Sequence, residues 1–241
     1  MAIEMALISI LTLAASCIGT ATGFGMSTIM MPVLALYMPM SVALLFAGIL
    51  HFCGDIWKVL FFRGRIDWKL ILGFGIAGII ASYAGASLSI HLQTLPLKKI
   101  LGAFLIMYVI FLFFNRDWAM PNTSGTALLG GSLSGLFAGF FGVGGAVRSA
   151  FLTAFNLPKE MYIFTSGIIA LLIDITRISR YISGGTRLES YLLYTLLISI
   201  PFSLLGAFIA KKFISRLPQK YFRNLVGVFL AIIGILLIFS F

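Results

Sequence analysis

The sequence predicts an all-α membrane protein with eight transmembrane helices, arranged as two parallel four-helix repeats. Three observations support this fold class. The chain of 241 residues is 61% hydrophobic and only 10% charged, with a mean hydropathy of +1.10, far from the balance of a soluble domain. Its apolar residues form long runs without the alternation of strands. The pattern of the first half also recurs in the second half.

Eight apolar stretches cover nearly the whole chain. Most of them reach the ~20 residues that a helix needs to cross ~30 Å of hydrocarbon. The first stretch follows only Glu4 and lacks a basic start, so we expect it to belong to the bundle and not to a cleaved signal peptide. The stretches are residues 6–37, 41–62, 68–90, 97–114, 126–157, 160–181, 190–211 and 222–240.

The two halves align when the chain is shifted by 119 positions, which places Asp55 on Asp174 and superimposes two glycine motifs. We therefore assign residues 1–118 to a first repeat and residues 119–241 to a second. A unit of this length holds four spans of ~22 residues plus loops. Because four is an even number, we expect both halves to enter the membrane in the same sense, about a pseudo-two-fold axis along the membrane normal. Such duplicated bundles are typical of transporters.

In each half the first apolar stretch is too long for one straight span. Residues 6–37 would form a helix of ~48 Å at a rise of 1.5 Å per residue. The motifs GFG at 23–25 and GVGG at 142–145 occupy equivalent places, and each glycine tolerates positive φ and weakens a helix by ~1 kcal/mol. We therefore expect the first helix of each repeat to be broken at its glycine motif, and the two breaks to face each other.

The residues at and after each break suit an anion. A helix that starts after a break presents free N–H groups at a positive end, and broken backbone at membrane depth is buried in protein or lines a wet cavity. The alternative is that the glycines only let helices approach closely, but their repetition in both halves favours a binding site. The candidate substrate-binding residues are Gly25, Ser27 and Thr28 in the first half and Gly144, Gly145, Arg148 and Ser149 in the second.

Two longer motifs, GTATGFGMSTIMMPVLALYMP and GLFAGFFGVGGAVRSAFLTAFNLP, contain these breaks. They resemble the TauE/SafE sulfite exporter family over nearly all of the chain. The resemblance implies a multi-pass carrier of a bacterial or archaeal cell (inner) membrane. It also implies a small sulfur-containing anion as substrate, such as sulfite, thiosulfate or an organosulfonate such as sulfoacetate. Ala146 and Phe151 depart from the family pattern of a further glycine and a proline, and Arg148 lies between them, where specificity would be set.

Two acid–base pairs occupy equivalent positions in the second and sixth spans. Asp55 precedes Lys58 by three residues, and Asp174 precedes Arg177 by the same interval, so each pair shares one helix face. Ionisable groups at membrane depth cost ~2.5–3.5 kcal/mol each, which favours a functional role. Both pairs also lie near span ends, where Lys and Arg reach the interface, which favours a structural role. The sequence leaves both interpretations open.

A histidine adds a titratable group to this set. His51 precedes Asp55 by one helical turn, and its unperturbed pKa of ~6.5 would allow proton coupling, although a lone histidine also occurs as a packed, hydrogen-bonded side chain. Thr165 and Ser166 add hydroxyls to the candidate substrate site, although such hydroxyls also bond their own helix. The candidate coupling residues are therefore Asp55, Asp174, His51, Lys58 and Arg177.

These patterns predict a secondary carrier, with a passive anion channel as the first alternative. There is no GxxxxGK[ST] motif for ATP, and neither an HExxH nor a GxSxG motif that would indicate a membrane-embedded enzyme. Cys17 and Cys53 lack a partner at metal-ligand spacing, so the sequence predicts no metal and no cofactor. The expected partners are a small anion and the lipid bilayer.

Lys and Arg outnumber Asp and Glu by 17 to 7, and in a membrane protein this excess lies mainly in cytoplasmic loops, so nucleic acid is not expected as a partner. Eight spans place one basic group on one face: Arg63, Arg65, Lys69, Arg116, Arg180 and Arg187. They place another on the opposite face: Lys98, Lys99, Lys159, Lys211, Lys212, Arg216, Lys220 and Arg223. The second face is richer, so we expect it inside the cell and both termini outside.

Overall fold

The protein is described by a computed structural model that covers residues 2–62, 67–92, 94–114, 121, 123–155, 157–213 and 219–239. These residues form ten helices and no strand. The helices are α1 (Ala2–Thr22), α2 (Met26–Tyr37), α3 (Met40–Phe61), α4 (Trp68–His91), α5 (Thr94–Phe114), α6 (Ser124–Phe141), α7 (Gly144–Ala154), α8 (Lys159–Ser183), α9 (Ser190–Phe213) and α10 (Gln219–Ile238). The predicted all-helical class is confirmed for the described part of the chain.

Seven of these helices are long and apolar enough to cross a membrane: α1, α3, α4, α5, α6, α8 and α9. The eighth predicted span corresponds to α10, in which a shorter apolar segment, Gly227–Ile238, is recognised. Short helices follow the two glycine motifs, with 12 residues in α2 and 11 in α7. Eight complete spans therefore remain a prediction.

Both glycine motifs interrupt the helix, as predicted. In the first motif α1 ends at Thr22, and Gly23 and Gly25 have φ of 77° and 78°, in the left-handed region that favours glycine. In the second motif α6 ends before Gly142, which has φ of 74°. The second break is shorter than expected, because Gly144 already begins α7.

The second break reverses the direction of the chain. Gly144 packs against Ser134 and Ala138 of α6, and Phe151 packs against Gly130 near the start of α6. The Ser134 hydroxyl also donates to the Gly144 carbonyl, at 3.0 Å. Later residues of α7 thus lie beside earlier residues of α6, so these two helices form an antiparallel hairpin, which we call hairpin 2.

The first break also reverses the chain, which follows from the directions of its neighbours. Helix α1 runs parallel to α9, because Ser9 contacts Ser199 and Ser16 donates to the Ser203 carbonyl. Helix α3 also runs parallel to α9, because Trp57 donates to the Ser203 hydroxyl and the ring of Phe61 contacts that of Phe208.

Helix α2 runs against α3. Gly25 lies against His51 and Met26 against Gly54, although only two residues separate the end of α2 from the start of α3. Since α1 is parallel to α3, α1 and α2 form a second antiparallel hairpin, which we call hairpin 1.

The prediction that both halves enter the membrane in the same sense is wrong. The equivalent helices α3 and α8 run antiparallel, because Gly48 packs against Arg177 while Gly167 packs against Lys58. Helices α5 and α10 are antiparallel as well, since they meet through Gly102 with Gly234 and through Phe113 with Gly227. The physical reason is that each glycine break turns the chain back, so the described part of each half has five helices, an odd number, instead of four.

The two predicted basic faces need the same correction. Helices α4 and α8 run parallel, because Gly75 packs against Leu172 and Ser87 accepts a hydrogen bond from Arg180. Lys69 at the start of α4 and Arg180 near the end of α8 therefore lie at opposite ends of the bundle. Arg63, Arg65, Arg116 and Arg216 lie outside the described residues.

The tips of the two hairpins meet. Hairpin 2 is aligned on α4, because Gly131, Gly135 and Gly139 pack in succession against Phe74, Gly78 and Ser82. Since α4 and α3 run in opposite directions, the two hairpins enter the bundle from opposite ends. Gly145 lies directly against the Phe24 backbone of the other tip and near the Thr28 hydroxyl. The expectation that the two breaks face each other is confirmed.

Candidate functional site

Two ion pairs lie where α3 crosses α8. Lys58 Nζ contacts Asp55 Oδ1 at 2.7 Å, and Arg177 Nε contacts Asp174 Oδ1 at 2.7 Å. All four side chains are buried, with 3% or less of each exposed. Neither basic side chain therefore extends to solvent at the end of its helix.

His51 connects these two pairs. Its Nδ1 lies 2.7 Å from Asp174 Oδ2 and 2.9 Å from Asp55 Oδ2. A single N–H donates well to one acceptor, and the geometry of a hydrogen bond is met toward Asp174. The imidazole thus links a carboxylate of the first half to one of the second half, which identifies His51 as a packed and hydrogen-bonded side chain.

The other ring nitrogen of His51 points to the tip of hairpin 1. A side chain at Gly25 would collide with Nε2, so no other residue fits there. Nε2 is buried and has no hydrogen-bond partner among the described residues. A buried polar atom without a partner is costly, and such atoms are concentrated at functional sites.

His51, Asp55 and Asp174 bring their ligand-type atoms within 4.8 Å of one another, which is close enough for a metal ion. Lys58 and Arg177, however, each hold one oxygen of these carboxylates. Two cations already neutralise the two acids, so a divalent metal would bring excess positive charge into a buried site.

Arg148 lies in the second turn of α7, close to the contact between the hairpin tips. Its side chain is buried, with 1% exposed, and its Nε donates to the Ser166 hydroxyl at 3.0 Å. Its Nη2 is buried without a hydrogen-bond partner in the described part of the chain. No ion pair joins Arg148 to a described carboxylate, although Asp55 and Asp174 are near enough to attract its charge.

The other predicted substrate-binding residues have different surroundings. Thr165 is buried next to Ser166, and its hydroxyl has no partner among the described residues. Ser27 is also buried. Thr28 and Ser149 instead bond carbonyls of their own chain segments, those of Phe24 and Ala146. Gly25, Gly144 and Gly145 give close packing at the tips, to His51, to α6 and to Phe24 respectively.

Sequence reasoning missed two tyrosines at the hairpin tips. Tyr162 Oη donates to the Thr22 carbonyl at 3.3 Å, and Tyr108 Oη donates to the Ala146 carbonyl at 3.0 Å. Each hydroxyl thus holds a hairpin of the opposite half, and both lie close to Ser149. The only signal in the sequence was a polar-tipped aromatic residue inside an apolar run, which is too common to single out a site.

The charges at this centre do not cancel. Lys58, Arg177 and Arg148 contribute three positive charges against the two negative charges of Asp55 and Asp174, and all five side chains are buried. Without a charge on His51 these five groups sum to about +1, and Arg148 Nη2 has no hydrogen-bond partner among the described residues. Such a centre attracts an anion and can bind its oxygens through charged hydrogen bonds.

The fold and the centre define a helical membrane protein with two hairpins that meet at a buried, positively charged site. The family model of the sulfite exporter TauE/SafE matches residues 8–237. The chain belongs to the TauE/SafE sulfite exporter family and is a membrane transporter, not an enzyme. This confirms the resemblance and the expected class of multi-pass cell-membrane protein.

Two membrane proteins are similar to this chain over about the same share of its length. The probable membrane transporter protein MJ0441 of Methanocaldococcus jannaschii is 24% identical over 187 residues, which cover 72% of this chain and 69% of the relative. The probable membrane transporter protein YdhB of Bacillus subtilis is 24% identical over 190 residues, 73% of this chain and 75% of the relative. No solved structure matches the chain significantly.

Proposed function

We propose that this protein is a secondary transporter of a small sulfur-containing anion, such as sulfite, thiosulfate or an organosulfonate such as sulfoacetate, with coupling to protons. The observation that carries the proposal is the buried Nη2 of Arg148, which has no partner among the described residues. A guanidinium binds two oxygens of an oxyanion through parallel N–H groups. A bound anion would offset the cost of burying this charge.

The substrate would lie beside Arg148 at the junction of the two hairpin tips. Ser166 already holds Nε of Arg148 and so orients the guanidinium. The Thr165 hydroxyl, also without a described partner, supplies a further donor on the same turn of α8. The family matched by this chain is described as a sulfite exporter, which supports a sulfur oxyanion as the substrate class.

The opposite directions of equivalent helices favour an inverted repeat, with the two halves related by an axis in the membrane plane. Transporters of this kind place their substrate near the middle of the bilayer, where interrupted helices meet. Helices α2 and α7 have 12 and 11 residues, or ~18 and ~17 Å at 1.5 Å per residue, about half of the hydrocarbon thickness. The two hairpins enter from opposite ends, and these short returning arms would serve as the two gates.

Proton coupling is assigned to the cluster of titratable groups at the crossing of α3 and α8. The cluster is buried, it joins the two halves through His51, and it contacts the tip of hairpin 1 at Gly25. A change of protonation there would alter both the charge of the centre and the contact between halves. The residues of this coupling site are Asp55, Asp174, His51, Lys58 and Arg177.

Uptake by liposomes that contain the purified protein tests the proposal. Radiolabelled sulfite, thiosulfate, sulfate, sulfoacetate and taurine are supplied with and without a pH gradient. We expect saturable uptake of at least one sulfur-containing anion, with competition among similar anions and stimulation by the gradient. If no anion of the panel is taken up above the level of protein-free liposomes, the proposed function is wrong.

Electrical recording separates the carrier from a passive anion channel. A carrier closes one gate before it opens the other, so its flux stays at carrier turnover and responds to the pH gradient. The hairpin tips touch through Gly145 and Phe24, which favours a closed path in this conformation. Ohmic currents far above carrier turnover would favour the channel.

A further inference from the structure

His51 belongs to the cluster assigned to proton coupling and lies against the tip of hairpin 1. Its Nδ1 is held by the carboxylates of Asp55 and Asp174, at 2.9 and 2.7 Å. Its Nε2 is buried without a described partner and lies against Gly25, at the tip of hairpin 1. With Nδ1–H donating to Asp174, Nε2 carries the lone pair, so it is the nitrogen that accepts a further proton.

We propose that His51 takes up the co-transported proton at Nε2, and that the resulting imidazolium and Arg148 together attract the anion, so that one proton and one anion move in the same direction. This inference rests on the proposed transport function and adds the sign and the stoichiometry of coupling. The proton enters with the anion and leaves when the anion leaves.

The sign follows from the charge of the centre. With neutral His51 the centre carries about +1, and a proton on His51 raises this to about +2. In a buried site this added charge strengthens the attraction for an anion. By linkage, a bound anion strengthens the affinity of His51 for its proton by the same factor. Proton and anion therefore bind cooperatively, which is symport and not exchange.

The stoichiometry follows from the asymmetry between the two halves. Asp55 matches Asp174, and Lys58 matches Arg177, but the position equivalent to His51 is Ala170, which is buried and cannot titrate. The two acid–base pairs neutralise themselves, which leaves the imidazole of His51, whose Nε2 has no partner among the described residues, as the group of this cluster that can take up a further proton. One such group gives one proton per anion.

An added proton on His51 would lie near both carboxylates and cations. The two carboxylates are in contact with Nδ1, while the tip of hairpin 1 approaches Nε2 with the uncharged Gly25. Lys58, Arg177 and Arg148 repel a positive charge on His51, but Lys58 and Arg177 are paired with these carboxylates. The charged groups facing this centre in the described residues are Asp55 and Lys58 from α3, Asp174 and Arg177 from α8, and Arg148 from α7. The thiol of Cys53 and the hydroxyls of Tyr162 and Tyr181 are the titratable groups next to them.

Proton uptake on anion binding tests the inference directly. Thiosulfate and sulfoacetate serve as probes, because both are ionised at neutral pH, where the protons are counted. Purified protein in weakly buffered detergent solution is mixed with each anion, and a pH indicator records the protons taken up. We expect up to one proton per bound anion, and an anion affinity about 5- to 150-fold higher near pH 5 than near pH 8.

The variants His51→Asn and His91→Gln form the matched comparison. Asn keeps a donor for Asp174 but does not titrate, so His51→Asn should bind the anion with the weak affinity of the high-pH protein, without proton uptake. His91, the other histidine, is exposed at the end of α4, and His91→Gln should behave like the unmodified protein.

Two results distinguish proton symport through His51 from the proposed anion transport on which it rests. Binding that depends on Arg148 but takes up no proton, or releases one, overturns the symport through His51 and leaves anion transport intact. Absence of any anion binding in the unmodified protein overturns both. Should His51→Asn fail to fold, the proton count of the unmodified protein decides by itself.

Discussion

At the scale of single residues, the centre is held by charges that are buried in pairs. Asp55 pairs with Lys58, and Asp174 pairs with Arg177. These side chains lose their hydration in the bundle, and the 2.7 Å contacts within each pair offset this loss. Removing one partner of such a pair costs ~3–5 kcal/mol, because the other charge stays buried alone. Arg148 differs from these pairs, since no described carboxylate contacts it, and its stabilising partner in our account is the transported anion.

Neutralising either acid should remove proton coupling while leaving anion movement. We expect Asp55→Asn to retain exchange of anion for anion and to lose stimulation by a pH gradient, because His51 then has one carboxylate fewer to stabilise its proton. Uptake by liposomes with and without a gradient measures this. Asp67→Asn, which keeps a capping side chain at the start of α4, is the control. Unchanged pH dependence in both Asp55→Asn and Asp174→Asn would remove these residues from coupling.

The sequence indicated the charged residues of the centre but not their partners. A three-residue interval predicts each acid–base pair from helix geometry alone. The contact of His51 with Asp174 joins residues 123 positions apart, and no local pattern encodes it. Arg148 was identified because it stood out in an apolar motif, whereas Tyr108 and Tyr162 did not stand out.

At the scale of helices, the hairpin tips depend on glycine. A Cβ at Gly145 would collide with the Phe24 carbonyl, which is backbone and cannot rotate away. We therefore expect Gly145→Ala to push the tips apart, to destabilise the protein by ~1–3 kcal/mol, and to reduce transport strongly. Thermal unfolding in detergent and liposome uptake are the measurements.

Gly125 is the control for this substitution. It lies in the first turn of α6 with its nearest neighbour 3.9 Å from an added Cβ, so Gly125→Ala should be neutral or slightly stabilising. Equal stability and equal transport in Gly145→Ala and Gly125→Ala would contradict the close contact of the tips.

The positions of the breaks could be predicted, but their direction could not. A mainly apolar stretch of 32 residues with a glycine motif implies an interruption, because one straight helix would be too long. Whether the chain continues or turns back depends on which neighbours pack against each side. In hairpin 2 the turn is fixed by Gly144 against Ser134 and by Phe151 against Gly130.

At the scale of the whole molecule, this error of direction changed the predicted symmetry. Counting each broken helix as one span gave four spans per half and parallel halves. Counting each as a hairpin gives five helices and opposite halves, in agreement with the antiparallel pairing of α3 with α8 and of α5 with α10. The similarity between the two halves could be detected from the sequence, because it requires only an alignment of residue types.

Labelling from each side of the membrane tests this arrangement. Trp68, exposed at the start of α4, and Arg187, exposed between α8 and α9, lie at opposite ends of the bundle. In a background without Cys17 and Cys53, we expect Trp68→Cys to react with an impermeant maleimide from one side only and Arg187→Cys from the other. Labelling of both from the same side would restore the parallel arrangement.

The central claim is that Arg148 binds the transported anion, and equilibrium binding of a radiolabelled anion to purified protein tests it most directly. The anion is the one that the unmodified protein takes up into liposomes. We expect Arg148→Ala to weaken binding by ~1.5–3 kcal/mol, the range of a charged hydrogen bond. Arg148→Lys should weaken it less, because lysine keeps the positive charge although it lacks the two parallel N–H groups of the guanidinium. Arg187→Ala, at an exposed site, should bind normally. A folded Arg148→Ala protein that binds and transports the anion with unchanged affinity would contradict the account.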